Sequence, residues 1–215
     1  MDCDVIIFDC DGVLLDSNAF KVDSFRQVLQ SLGYEKKLVE EFVQYHKDNG
    51  GISRYVKFKL FITDFLRQEF DEKLYNHLLN KFSEYCVKCY ETASYTPKAM
   101  DFLNKNKSKI DYCVASGSDE DELKLVFKKR NIDRYFKEIL GSPKTKEECV
   151  NQIVSQNSGR KIKMIGDAKA DFLAAEKQKI EFIYMRRFSE SQKIMDDLAK
   201  EHKFQVIETL AELLN

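Results

Sequence analysis

The sequence predicts an α/β fold built on a doubly wound parallel sheet, with a bundle of helices inserted after the first strand. Three features predict it: a short apolar strand near the N-terminus, a long helical segment after it, and alternating strands and helices from residue 95 onward. Alternation of this kind is typical of parallel strand pairing. The 215 residues are enough for one large domain or for a core with a modest insertion.

The first strand is expected at residues 5–8, where four apolar residues stand in a row. Four apolar stripes at helical spacing follow it. Their members are Val22, Phe25, Leu29 and Leu32; Leu38, Val39, Phe42 and Val43; Tyr55, Phe58, Ile62 and Phe65; and Leu74, Leu78, Phe82, Tyr85 and Cys89. Four consecutive helices with no strand between them predict a small bundle with its own core.

Five later strands are expected at residues 112–115, 137–140, 162–165, 180–185 and 204–207, with helices between them. The first strand is expected to lie beside them in one sheet. Thr96 followed by Pro97 predicts the N-cap and first position of a helix. Ser118, with Asp121 three residues on, predicts the N-cap of the next helix.

Composition excludes several classes of function. The net charge is −1 and both signs are interspersed, so a nucleic-acid partner is not expected. No stretch approaches the roughly 20 apolar residues of a membrane span, and no secretion signal is evident. The six cysteines lack disulfide-framework spacing, and Cys86 and Cys89 lack the second pair that a zinc site needs. We therefore expect a cytoplasmic protein, a monomer or weak homodimer, that binds no membrane.

Two aspartates, Asp9 and Asp11, stand one residue apart at the end of the first strand. Carboxylates at the mouth of a buried strand repel each other and lose solvation, so a cation must compensate them or one must hold a proton. Such a pair suits a Mg²⁺-assisted aspartyl nucleophile with an acid beside it. Taken alone, the same spelling also fits a solvated turn. A calcium loop fits less well, because Val13 and its neighbours continue apolar.

Polar groups follow three more of the predicted strands. They are Ser116, Gly117 and Ser118; Lys144 and Lys146; and Asp167 and Asp171. Because open parallel sheets bind ligands beyond the carboxyl ends of their strands, we expect these groups to converge on one crevice. Each segment alone is weak support, but together they predict an active site.

In this order the segments resemble the four motifs of the haloacid dehalogenase (HAD) superfamily of phosphotransferases: Asp-x-Asp-Gly, Ser or Thr, Lys, and Gly-Asp-x-x-x-Asp. The helical segment resembles the cap of phosphoglycolate-phosphatase-like and β-phosphoglucomutase-like members. The resemblance implies a core of residues 1–15 and 95–215 and a cap of residues 16–94. It also implies a Mg²⁺-dependent phosphatase acting on a small phosphorylated metabolite, such as a sugar phosphate or phosphoglycolate.

The resemblance also implies roles for the acidic residues. Asp9 would be the nucleophile that forms an aspartyl-phosphate, and Asp11 the general acid and then the base. Mg²⁺ would be held by Asp9, Asp167 and the backbone carbonyl of Asp11, with Asp171 in support. A cation is also needed on physical grounds, because a carboxylate that approaches a phosphate dianion is repelled.

Ser116, with backbone N–H groups near Gly117, would hold a phosphoryl oxygen, and a lysine would offset its charge. Lys144 and Lys146 are both candidates for that lysine. A capping box at residues 145–148 places Lys146 first in a helix, where the macrodipole disfavours a cation by up to about 1 kcal/mol. The Ser-Pro-x-x-Lys spelling nevertheless resembles the motif form that uses the later lysine, so we prefer Lys146.

The cap loop (residues 46–54) joins two of the predicted helices, and its Gly-x-Ser-Arg portion resembles a loop that reaches the active site in these subgroups. Gly51 would permit a sharp turn, and Arg54 would fork onto a second anionic group of the substrate. His46 is a further candidate for substrate binding. The alternative is a plain helix-linking turn with a surface arginine and a surface histidine.

Other functions stay open at this point. A phosphomutase on the same scaffold would return the phosphoryl group to a sugar, and a non-catalytic binding protein would use the crevice alone. Dehalogenase chemistry is disfavoured because such members lack the aspartate present here as Asp11. Phosphonatase chemistry needs a cap lysine, and the sequence singles none out. Asp16, Asn18 and Lys21, where the chain leaves the core, are candidates for a hinge or a substrate rim.

Overall fold

The computed structural model describes residues 2–106 and 109–214, so residues 1 and 215, at the predicted core ends, lie outside the described residues. Six strands form one sheet in the order β3-β2-β1-β4-β5-β6, and every pair is parallel. The strands are β1 Val5–Phe8, β2 Asp111–Asp119, β3 Phe136–Ser142, β4 Ile162–Gly166, β5 Glu181–Met185 and β6 Gln205–Ile207. The predicted sheet, its six strands and the inclusion of β1 are confirmed.

The first strand lies at the centre of the sheet and fixes the position of the site. Phe8 pairs with Val114 of β2 on one side and with Ile165 of β4 on the other. Ile6 and Phe8 face one buried apolar cluster, whereas Val5 and Ile7 face a second cluster on the opposite side of the sheet. Because the neighbours are parallel, the residues that follow β1, β2 and β4 meet at one edge.

Five helices cover the two faces of the sheet. They are α5 Ala99–Asn106, α6 Glu120–Lys129, α7 Lys146–Gln156, α8 Lys169–Lys177 and α9 Gln192–His202, with short 3₁₀ turns at Asp133–Tyr135 and Leu210–Leu213. The doubly wound arrangement follows from this covering on both sides, which all-parallel sheets require.

The segment between β1 and β2 is helical, as predicted. Its helices are α1 Asn18–Ser31, α2 Lys36–Asp48, α3 Arg54–Leu60 with a π-helical turn at Phe61–Phe65, and α4 Glu72–Thr92. Aromatic rings fill its centre, and the centroids of Phe25 and Phe82 lie 4.2 Å apart. In the described part of the chain, no helix is both long and apolar enough to span a bilayer.

The chain enters and leaves this helical segment at one place. The N–H of Asp16 donates to the carbonyl of Ser94 at 2.9 Å, so the two crossings run side by side. The contact supports the predicted boundaries at residues 15/16 and 94/95, and the division into core and cap stays a prediction.

Two predicted helix starts are wrong. Thr96 is not an N-cap: its hydroxyl donates to the carbonyl of Val13, and α5 begins three residues later. Ser118 is not an N-cap either, because β2 continues to Asp119, whose carboxylate accepts the N–H of Glu122 at 3.0 Å. In both cases the hydroxyl has a tertiary partner that no local pattern shows.

The buried face of α4 is also rotated from the predicted stripe. Cys86 and Tyr90 are buried, whereas Tyr85 and Cys89 are only partly buried. The six cysteines are free, and Cys86, not Cys89 as predicted, packs in the apolar cluster. This rotation matters because it turns the hydroxyl of Tyr90 toward the crevice.

Candidate active site

Three carboxylates meet where β1 and β4 end. Asp9 follows β1, Asp167 follows β4, and Asp171 lies in the first turn of α8. One oxygen of each lies within 4.8 Å of the others, and all three side chains are buried. Asp171 also accepts the N–H of Ala168 at 3.0 Å, where the helix dipole favours an anion. We call Asp9, Asp167 and Asp171 the acidic cluster.

Lys146 reaches the acidic cluster from the first turn of α7. Its Nζ lies 2.8 Å from Asp9 Oδ1 and also contacts Asp171. Burial alone would lower the pKa of Lys146, but the charges of Asp171 and Asp9 raise it, so the lysine is a cation. The predicted capping box is present. Lys144, by contrast, is exposed and lies 3.3 Å from Glu120, away from the cluster.

One lysine does not neutralise three carboxylates. Burial and the charge of Asp171 raise the pKa of Asp9 to about 7, against the pull of Lys146. Burial and the charge of Asp9 raise the pKa of Asp167 well above its ordinary value. Mg²⁺ and Ca²⁺ take oxygen ligands of this kind, and a divalent charge would remove the repulsion. The donor set therefore fits a hard divalent cation.

Gly12 lets the turn after β1 press against this cluster. Its φ is +73°, and a Cβ there would lie 2.5 Å from Asp167 Oδ2. Asn18, at the start of α1, donates from Nδ2 to the same carboxylate oxygen at 2.7 Å. The Asp-x-Asp-Gly turn thus packs against Asp167, the residue after β4, and is not a solvated turn.

Asp11 has a different environment. Its carboxylate accepts from the hydroxyls of Ser17 at 2.6 Å, Tyr90 at 2.9 Å and Ser118 at 3.0 Å, and it pairs with Lys21. Burial alone would raise the pKa of Asp11, but Lys21 and these hydroxyls outweigh it and lower the pKa. Two aspartates one residue apart therefore have pKa values shifted in opposite directions.

Ser116 and Gly117 lie near the end of β2, beside these aspartates. Ser116 is fully buried, and its Oγ accepts the N–H of Ser118 at 3.1 Å. A Cβ at Gly117 would lie 2.3 Å from the carbonyl oxygen of Gly51, in the cap loop. Gly51 has φ +80° and would itself clash with Ala170 if it carried a Cβ. Glycine at both positions lets the cap loop lie directly on the strand ends.

The cap loop encloses a cavity of about 50 Å³ above the strand ends. The residues of the core that line it include Asp9, Asp11, Asp167, Gly117 and Glu190. Those of the helical segment include Asn18, Lys21, His46, Lys47, Gly51 and Lys57. The structure thus brings His46 and Gly51 to the cavity, together with two of the three rim candidates. Lys57 was not expected there.

Arg54 corrects an expectation. Its guanidinium donates two hydrogen bonds to the carboxylate of Glu122, at 2.7 and 2.6 Å, and covers the ring of Phe82. The side chain is only 4% exposed and does not line the cavity. Glu122 of α6 therefore occupies the guanidinium that was expected to contact a substrate anion, and Arg54 is not the surface arginine of the alternative interpretation.

Comparison with known proteins agrees with the geometry. The model of the haloacid dehalogenase-like hydrolases matches residues 6–185. A predicted phosphoglycolate phosphatase from Haemophilus somnus is 17% identical with a TM-score of 0.78, covering 100% of this chain and 97% of that one. A haloacid dehalogenase-like family protein from Streptococcus pneumoniae is 21% identical with a TM-score of 0.73, covering 99% and 97%.

A HAD hydrolase from Bacillus subtilis, described as bound to magnesium and as revealing interdomain movement, is 16% identical with a TM-score of 0.67, covering 99% and 97%. At these identities the likeness shows a shared fold. No curated protein matches the chain.

Proposed function

The chain belongs to the haloacid dehalogenase-like hydrolase family, and we propose that it is a Mg²⁺-dependent phosphatase acting on a small phosphorylated metabolite. One observation carries the proposal. Asp9 lies at the end of the central strand with Lys146 2.8 Å from one oxygen and the acidic cluster around it, and it faces an enclosed cavity. A nucleophile, a compensating cation and a donor set for a metal thus stand together.

In the proposed reaction, an oxygen of Asp9 attacks phosphorus and the bond to the leaving oxygen breaks, which gives an aspartyl-phosphate. Water then attacks that phosphorus and releases inorganic phosphate. Mg²⁺ would be held by Asp9, Asp167 and the backbone carbonyl of Asp11, with Asp171 in support, and would supply charge compensation for the phosphoryl oxygens.

Asp11 would move the protons. Its donors keep it ionised, which suits a base that accepts a proton from the attacking water. To act first as the acid toward the leaving oxygen it must take up a proton. The negative charge of an incoming phosphate raises the pKa of a nearby carboxyl and favours that uptake.

Ser116, the backbone near Gly117, and Lys146 would bind the phosphoryl oxygens. Lys146 is a buried cation, so its attraction for a transferring phosphoryl group is little screened. The cap loop against Gly117 would exclude bulk water from the covalent intermediate.

We also place the protein in the cytoplasm as a monomer or weak homodimer, with no nucleic-acid or membrane partner. The free cysteines and the balanced charge support this placement. Size-exclusion chromatography with light scattering would test the oligomeric state.

The test of the function is hydrolysis of p-nitrophenyl phosphate with added Mg²⁺ and with EDTA. Turnover that EDTA abolishes and Mg²⁺ restores is expected. Sugar phosphates followed by ³¹P NMR separate the phosphatase from the phosphomutase, because only the phosphatase releases inorganic phosphate. Failure to hydrolyse any phosphomonoester with Mg²⁺ would contradict the proposal.

A further inference from the structure

Lys57 is a buried lysine of α3 that lines the catalytic cavity from the cap side. The residue is only 1% exposed, and its Nζ lies 2.7 Å from Nδ1 of His46 on α2. His46 lines the same cavity. An N···N contact of this length needs one donor and one acceptor, so at least one of the two groups is neutral, and His46 orients the Lys57 amine.

The other cations of this region have carboxylate partners. Lys21 pairs with Asp11, Lys146 with the acidic cluster, and Lys47 lies 3.8 Å from Glu190. Among the described residues, no carboxylate lies within ion-pair distance of Lys57. A buried amine directed into a ligand cavity without a counter-charge is costly for the free protein.

Electrostatics point the same way. Burial and the charges of Lys21 and Lys146 lower the pKa of Lys57 well below its ordinary value, with only a weak opposing effect of Asp11. Burial and the charge of Lys57 lower the pKa of His46 as well. Among the described residues, those of the helical segment that line the cavity include no carboxylate, so a ligand anion would supply the missing negative charge.

We propose that Lys57, oriented by His46, binds a carboxylate on the leaving group of the substrate. The substrate class is then a small phosphorylated hydroxycarboxylate, in preference to a sugar phosphate. This inference rests on the proposed function, which puts the phosphoryl group at Asp9 and the leaving oxygen beside Asp11. The rest of the leaving group must then extend toward the cap side. A cavity of about 50 Å³ admits only a short chain between those two ends.

The test uses two esters of similar size, phosphoglycolate and ethyl phosphate, which differ in the carboxylate. The wild-type protein should prefer phosphoglycolate in kcat/KM by about 10-fold or more, the scale of a charge-assisted hydrogen bond. Lys57→Met keeps the volume without the amine and should remove most of that preference. Its unfolding temperature should not fall, because the variant buries no charge.

The matched control is Lys59→Met. Lys59 is exposed on the same helix, so this variant should keep the wild-type preference. Hydrolysis of both esters without a preference, or a preference that survives Lys57→Met, overturns the inference and leaves the phosphatase standing.

If neither ester is hydrolysed, the proposed function fails and binding decides the inference. Calorimetric titration of both esters into Asp9→Asn protein with Mg²⁺, with and without Lys57→Met, gives that answer. Tighter binding of phosphoglycolate that depends on Lys57 supports the contact. Equal or undetectable binding of the two esters overturns it.

Discussion

The two sides of the cavity are built differently. On the core side, Lys146 pairs with both Asp9 and Asp171, and these residues lie at strand ends and in the first turns of helices. On the cap side, Lys57 and His46 contact each other, and no carboxylate among the described residues pairs with either of them. The core side has an excess of negative charge and the cap side an excess of basic groups.

This difference separates chemistry from specificity. A metal ion can compensate the negative charge of the core side whatever the substrate is. Only the leaving group of the substrate can supply an anion for the basic groups of the cap side. Changes on the core side should therefore affect all substrates, and changes at the cap-side pair should affect them selectively. Substitutions on each side of the cavity test this division.

The largest effect is expected from Asp9→Asn, which removes the nucleophile from the core side. Turnover should fall below about 1% of wild type on every phosphomonoester, because an amide oxygen does not form the aspartyl-phosphate. Circular dichroism and the unfolding temperature should show an intact fold. Greater residual activity in a well-folded variant would count against the covalent mechanism.

The second-largest effect is expected from Lys146→Ala. It should lower kcat/KM by several orders of magnitude, because the buried cation faces the phosphoryl group. Lys144→Ala is the control, since Lys144 is exposed and pairs with Glu120 instead. It should retain nearly full activity. The reverse ranking, measured on p-nitrophenyl phosphate, would assign the motif role to Lys144.

The core side could be predicted from the sequence, because its residues lie at strand ends and in the first turns of helices. A strand of four buried residues fixes where Asp9 emerges, and the capping box fixes the start of α7 and hence Lys146. At these positions the local sequence pattern alone determines where the side chain lies in the fold. The Thr96 and Ser118 predictions failed for the opposite reason, since their hydroxyls have distant partners.

The cap side could not be predicted in the same way. Arg54 and Lys57 lie three residues apart on one helix, and only packing decides which of them faces the cavity. Glu122, which takes up Arg54, lies 68 positions along the chain. Tyr90, a partner of Asp11, is 79 positions away. No spacing in the sequence indicates either contact.

Arg54→Ala tests whether Arg54 stabilises the fold or binds substrate. It removes one partner of an ion pair whose side chains are 4% and 13% exposed, so we expect a loss of about 3 kcal/mol in the free energy of unfolding. Because Arg54 does not line the cavity, phosphoglycolate and p-nitrophenyl phosphate should lose activity equally. Urea unfolding and kcat/KM on both esters measure this. A loss confined to phosphoglycolate would return Arg54 to substrate binding.

The smallest effect concerns the repulsion within the acidic cluster of metal-free protein. The pKa of Asp9 is raised to about 7 from an ordinary value near 3.9. Between those values Asp9 binds more protons in the folded protein than in the unfolded chain, so its contribution to stability is greatest below them and falls as pH rises toward 7. Each 1 kcal/mol of that loss lowers the unfolding temperature by roughly 2–4 °C.

Mg²⁺ should reverse that loss at pH 8 and change little at pH 5, where the protonated carboxyls bind it poorly. Asp167→Asn is the matched variant, since it removes one charge from the cluster and should flatten the pH dependence of the unfolding temperature. Scanning calorimetry of both proteins from pH 5 to 8, with EDTA and with Mg²⁺, gives the four curves. If the wild-type and Asp167→Asn proteins respond alike to pH and to Mg²⁺, then Mg²⁺ does not act by compensating the excess negative charge of the core side. The cluster would then be held by its lysine and backbone donors alone.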